Sequence, residues 1–134
     1  AGGLRYHGIA PTISVLAQEK KISTLAVNQV DAFDAAKIFT RSEGIIPAPE
    51  AAHAIKAVVD AALSCKEANE PKTLLFALTG HGYFDMSAYD EYFNGRLQPY
   101  EYPTEKVAES MDKLRKLYPW LSEATKKYIG CESI

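Results

Sequence analysis

Residues 72–78, Lys-Thr-Leu-Leu-Phe-Ala-Leu, restrict the folds open to this chain more than any other segment. The run is apolar and of strand length, without the polar–apolar alternation of a half-exposed strand. That is the pattern of a strand covered on both faces in a parallel sheet. A second, shorter β-branched run at residues 22–27 reads as another strand. Helical spacing surrounds both. Pro11 opens a stretch with Ile13, Leu16 and Ala17, and Val30, Phe33, Ala36, Ile38 and Phe39 step at helical intervals until Gly44. Asp31 and Asp34 fall near the positive end of that second helix. Pro47 and Pro49 interrupt it, and a new Ala-rich helix starts at Pro49 and stops by Asn69-Glu70-Pro71. This order predicts an α/β fold, a three-layer parallel-type sheet with helices on both faces. Such sheets bind ligands beyond the carboxyl ends of their strands, where Thr79-Gly80-His81-Gly82 lies.

Beyond residue 85 the texture changes. Seven of the eight tyrosines lie between Tyr83 and Tyr128, residues 97–103 read as extended, and Thr104 is placed to cap an amphipathic helix that Pro119 kinks or ends. The sequence therefore divides at 1–85 and 86–134, the second part an extended segment followed by a helical extension.

With 15 basic and 17 acidic residues in 134, the formal charge is −2, and 47% of the chain is hydrophobic. That balance describes a globular domain with a real core and gives no electrostatic footprint for nucleic acid or an anionic membrane. No run has the length of a membrane span, and no basic-then-apolar start resembles a signal peptide. The expectation is a soluble, cytoplasmic protein whose Cys65 and Cys131 are free thiols. The abrupt Ala-Gly-Gly start reads as the middle of a loop, so a piece of a longer chain is expected.

The residues able to carry chemistry are few. Glu50 sits in the first turn of a nearly all-apolar helix, where free N–H groups and the helix dipole favour an anion, although a helix-stabilising acid would sit there too. Thr79 and His81 stand beside two glycines that allow close approach to a ligand, or simply form a tight turn. His53 reads as a packing histidine, His7 as undistinguished, and Glu43 as a solvated helix-end residue. Metal-ligand spacings, GxGxxG and Walker loops and a GxSxG elbow are all missing, and no lysine stands out as a carbonyl-trapping nucleophile.

Three blocks together resemble one family. Residues 1–11 (AGGLRYHGIAP), 41–54 (RSEGIIPAPEAAHA) and 78–82 (LTGHG) are similar, in motif, order and spacing, to the C-terminal part of the tryptophan synthase β chain. The likeness is closer to the second, divergent branch. Arg5 stands where the main branch has Asp, His81 where it has Arg, and Ala88-Tyr89-Asp90 with Tyr100-Glu101-Tyr102-Pro103 is similar to that branch's extension. The specific match runs from residue 1 to about 103.

The resemblance implies a fold type II pyridoxal-phosphate lyase, homodimeric at full length, that joins L-serine and indole into L-tryptophan by β-elimination and β-replacement. It implies that Thr79 meets the pyridine nitrogen of the cofactor; a hydroxyl there does not enforce a protonated ring. It sets Glu50, Gly3 and Gly80 around the ring and Arg5 and His81 at the substrate and closure positions. The backbone carbonyls of Tyr6 and Gly8 would hold a monovalent cation. The main-branch Asp helps close the site and communicate with the α chain, so Arg5 leaves α-chain association open. The cofactor-bearing lysine and the phosphate cup belong to earlier parts of the family's chain. No catalytic residue is assigned here, and residues 1–134 alone are expected to be inactive. Two other readings stay open on the residues: a serine or threonine deaminase-like lyase of the same cofactor class, and a non-catalytic α/β binding module.

Overall fold

The structure, a computed structural model, describes residues 9–99 and 103–120. They fall into two compact units, one of residues 25–99 and one of residues 9–24 with 103–120.

In the first unit, Asn28 opens α2 (Gln29–Glu43) by accepting the Val30 N–H at 3.0 Å, which satisfies one first-turn donor. Gly44 closes it at φ 70°, a left-handed conformation that costs glycine little. α3 (Pro49–Glu67) begins on Pro49, whose ring is compatible with a first helical position. These two helices make the main packing contact of the unit. Both bring small residues to the core, Ala32, Ala35 and Ala36 from α2 and Ala51 and Ala52 from α3, so their backbones can approach closely.

A short 3-10 turn at Gly82–Phe84 leads into α4 (Met86–Phe93), which folds back onto α2. Ala32, Phe33 and Ala36 of α2, Ala52 of α3 and Tyr89 of α4 form one buried cluster, with Val27, Ile46, Ala88, Tyr92 and Leu97 packed against it. The rings reinforce it. Phe33 meets Tyr89 edge-on at 4.9 Å and stacks on Tyr92 at 5.4 Å.

The sheet expected from the sequence is not formed among the described residues. Neither 22–27 nor 72–78 pairs with another strand, and the described architecture is helical. The apolar run is extended but uncovered: Leu75 is 97% exposed, and Leu74 and Leu78 are exposed as well. An apolar strand gains its stability from ladder bonds and from layers on its two faces. Residues 72–78 have neither, so the local preference for an extended backbone is all that survives. The single bridge among the described residues joins Pro47 to His81, antiparallel.

The second unit holds α1 (Pro11–Gln18) and α5 (Thr104–Leu117). Thr104 does not cap α5 as the sequence suggested. Pro103 occupies the cap position and Thr104 is the first helical residue, with no side-chain cap bond. The helix ends at Leu117 as Pro119 requires, because the residue before a proline is pushed out of the α region. Its polar face carries the ion pair Lys113–Glu109 at 2.6 Å.

Candidate functional site

Two of the three motif blocks, residues 41–54 and 78–82, meet in space. The Ala48 N–H donates to the Gly80 carbonyl at 2.9 Å and the Gly82 N–H to the Ile46 carbonyl at 2.8 Å, one on each side of the Pro47–His81 bridge. The register brings Thr79-Gly80 to the N-terminal end of α3, beside Pro49 and Glu50. Glycine is needed on one side of this pairing. A Cβ on Gly82 would lie 2.6 Å from the Pro47 carbonyl oxygen, 2.8 Å from Ile46 Cγ2 and 2.9 Å from Tyr89 Cε2. A Cβ on Gly80 would press on the Ala48 methyl at 3.2 Å.

Tyr89 locks the arrangement from behind. Its hydroxyl donates to the Pro47 carbonyl at 2.6 Å inside the core. Burial, with the nearby Asp85 charge second, pushes its pKa up to about 12, so the phenol stays protonated and keeps donating. A neighbouring polar group ties α4 to α2. The Tyr92 hydroxyl donates to Asp34, and Lys37 Nζ donates to Asp34 at 3.1 Å and to the Tyr92 oxygen at 3.0 Å. The Tyr92 bond is the main reason the Asp34 carboxyl titrates below its usual value; desolvation opposes it as the second influence, and Lys37 adds to the lowering. Asp34 therefore serves this junction rather than the helix dipole.

Of the candidate site residues, Gly80 and His81 take part in the pairing, and Thr79 and Glu50 lie next to it in sequence. Thr79 is exposed, and its hydroxyl has no hydrogen-bond partner among the described residues. Glu50 is half-buried in the first turn of α3, where Ala48 supplies no side-chain cap. His81 is exposed, accepts the Tyr83 N–H on Nδ1 at 3.3 Å and lies against the Tyr83 and Phe84 rings. His53 is a packing histidine, its Nδ1 donating to the Pro49 carbonyl at 2.8 Å. Cys65 is a free thiol, and no cluster of metal-ligating side chains occurs among the described residues. Gly3, Arg5, Tyr6, Gly8 and Cys131 lie outside the described residues.

From sequence, Tyr92 and Lys37 did not stand out, while Asp34 was named only for the helix dipole and Tyr89 only within the resemblance. The signal was present in the tyrosine-rich texture after residue 82 and in the three-residue step from Tyr89 to Tyr92, which sets both rings on one helical face. No helix among the described residues is long and apolar enough to cross a membrane.

The geometry first defines a helix N-terminus and a glycine-containing loop, paired by backbone bonds and braced by an aromatic core. Comparison with known proteins makes this particular. The chain is 58% identical over 97 residues to tryptophan synthase beta chain 2 of Aquifex aeolicus, covering 72% of this chain and 22% of that protein. It is 55% identical over 97 residues to the beta chain 2 of Methanosarcina acetivorans, with the same shares. With the tryptophan synthase beta chain of Thermococcus gammatolerans it shares 50% over 101 residues, 75% of this chain and 23% of that one. No protein-family profile matches the chain. The chain thus matches a C-terminal part of the tryptophan synthase β chain and spans between a fifth and a quarter of the length of these relatives.

Proposed function

We propose that residues 1–134 form one wall of the active site of a pyridoxal-phosphate-dependent lyase that makes L-tryptophan from L-serine and indole. The observation that carries this reading is the pairing of Ile46-Pro47-Ala48 with Gly80-His81-Gly82, which joins the segment that carries Thr79 to the one that leads into Glu50 at the start of α3. The residues fit a flat nitrogen heterocycle. Gly80 has no side chain to block a close approach, Thr79 offers a neutral donor–acceptor for a ring nitrogen, and Glu50 lies in the first turn of α3. Pyridoxal phosphate, when bound, supplies the electron sink that lets the serine β-hydroxyl leave and a nucleophile take its place. The chain's own part is orientation. Thr79 holds the ring nitrogen without forcing it to be protonated, Gly80 allows the close approach, and His81 stands at the substrate-side rim.

Gly3 continues this lining, Arg5 acts with His81 in closure over serine, and the carbonyls of Tyr6 and Gly8 bind a monovalent cation. Residues 1–85 belong to the catalytic domain and 86–134 to an extension whose first helix, α4, packs back on α2. In the whole enzyme, a homodimer of fold type II, residues 22–27 and 72–78 join a parallel sheet with strands from the rest of the protein. The exposed leucines of 72–78 support that placement.

The test is turnover of the full-length protein with serine, with and without indole. Tryptophan formed only when both are present supports this function, whereas serine consumption unaffected by indole supports a deaminase. Thr79→Val should lower tryptophan formation by about tenfold, the loss of one good hydrogen bond in the reaction. An unchanged rate in that variant would favour the non-catalytic binding module.

A further inference from the structure

Behind the bridge, on the far side of Tyr89, a cavity of about 160 Å³ opens between α2, Ile46 and α4. Its volume is on the scale of the roughly 150 Å³ that holds a benzene-sized molecule, but this pocket is open to solvent on one side, where Met86, Phe93 and Arg41 are exposed. Ile46, Met86, Tyr89 and Phe93 supply an apolar, aromatic floor, while Lys37, Thr40 and Arg41 of α2 line one side. The three polar groups are not equivalent. Lys37 is committed to Asp34 and Tyr92, and the Thr40 hydroxyl donates to the Ala36 carbonyl at 2.8 Å, which leaves its oxygen able only to accept. Arg41 makes no ion pair or hydrogen bond among the described residues. A planar guanidinium with free donors beside an aromatic pocket is built for a carboxylate carried on an apolar body.

We propose that this pocket binds a small aryl carboxylate, its ring on Met86 and Phe93 and its carboxylate on Arg41. The occupant also bears on the candidate site, because the pocket wall includes the Tyr89 ring whose hydroxyl holds Pro47. This inference does not depend on the reaction assigned above, since its readout is binding alone.

The experiment uses full-length protein labelled with 13C at the methionine methyls, the Met86 signal being assigned with Met86→Leu. The probe is 3-phenylpropionate, and the control is 3-phenylpropan-1-ol, which keeps the body and removes the charge. The carboxylate should shift the Met86 methyl saturably, in the millimolar range ordinary for so small a ligand, and leave the Met111 methyl of α5 in place. The alcohol, and the carboxylate on Arg41→Gln, should bind about tenfold more weakly, a ratio typical of losing one charge-assisted pair. An unchanged Met86 position in ligand-free Arg41→Gln shows that the pocket is intact. No saturable shift, as when another part of the protein fills the pocket, overturns the proposal. So does equal binding of acid and alcohol, or full affinity in Arg41→Gln.

Discussion

Tyr89→Phe removes one oxygen and nothing else, so it isolates the bond that holds the Pro47 turn. In the native chain that hydroxyl donates to the Pro47 carbonyl at 2.6 Å, and Tyr89 is only 4% exposed. The edge-on contact with Phe33 remains in the variant, because it is made by the ring. The Pro47 carbonyl is then left without that donor inside the core. An orphaned buried acceptor costs about 1–3 kcal/mol. Taking about 2 kcal/mol, the equilibrium for opening the turn rises roughly 30-fold. Two backbone amides report this directly, Ala48 N–H on Gly80 and Gly82 N–H on Ile46. Native-state hydrogen exchange of the full-length protein should show both losing protection by about that factor, while amides of α5 keep their rates. If Ala48 and Gly82 keep their protection to within about twofold, the Tyr89 bond does not hold the bridge and the reasoning fails.

Gly82→Ala should also destabilise the bridge, since its Cβ would stand 2.6 Å from a backbone oxygen that cannot swing aside. An overpacking cost of about 1–3 kcal/mol is expected, read as a lowered midpoint in urea. Tyr89 also sets an alkaline limit. Its folded pKa of about 12 lies above the ordinary 10, so the unfolded chain releases the proton first. The stabilisation is therefore complete below pH 10 and is lost as pH rises from 10 through 12, by roughly 1.4 kcal/mol per unit, measurable by urea titration across that window. For Asp34 the sign is opposite. Its folded pKa is depressed, so its contribution is present above the usual 3.8 and disappears as pH falls through the folded value. Tyr92→Phe removes the largest cause and should move the Asp34 carboxyl signal in a pH-dependent NMR titration back toward 3.8.

What could be read from sequence divides by the range of the interactions involved. α2 and α3 are written locally, in the Asn28 cap, the Gly44 stop and the Pro49 start, each set by backbone chemistry within a turn of the helix end. The strand at 72–78 is not local. Its apolar run specifies a need for neighbours, and where no neighbour is described the same residues stay extended and exposed. The site falls between these cases. Thr79, Glu50 and His81 were nominated by type and position, yet nothing in the order of residues says that 46–48 pairs with 80–82. That pairing rests on Gly82 having no Cβ and on Tyr89 reaching Pro47 across 42 positions of sequence. The tyrosine-rich segment after residue 85, which by texture alone looks like an appendage, is therefore what fixes the geometry of the two motif blocks before it. A change in α4 should be felt at Ala48 and Gly80 before it is felt at α3's far end, because the Tyr89–Pro47 bond is the direct connection between them.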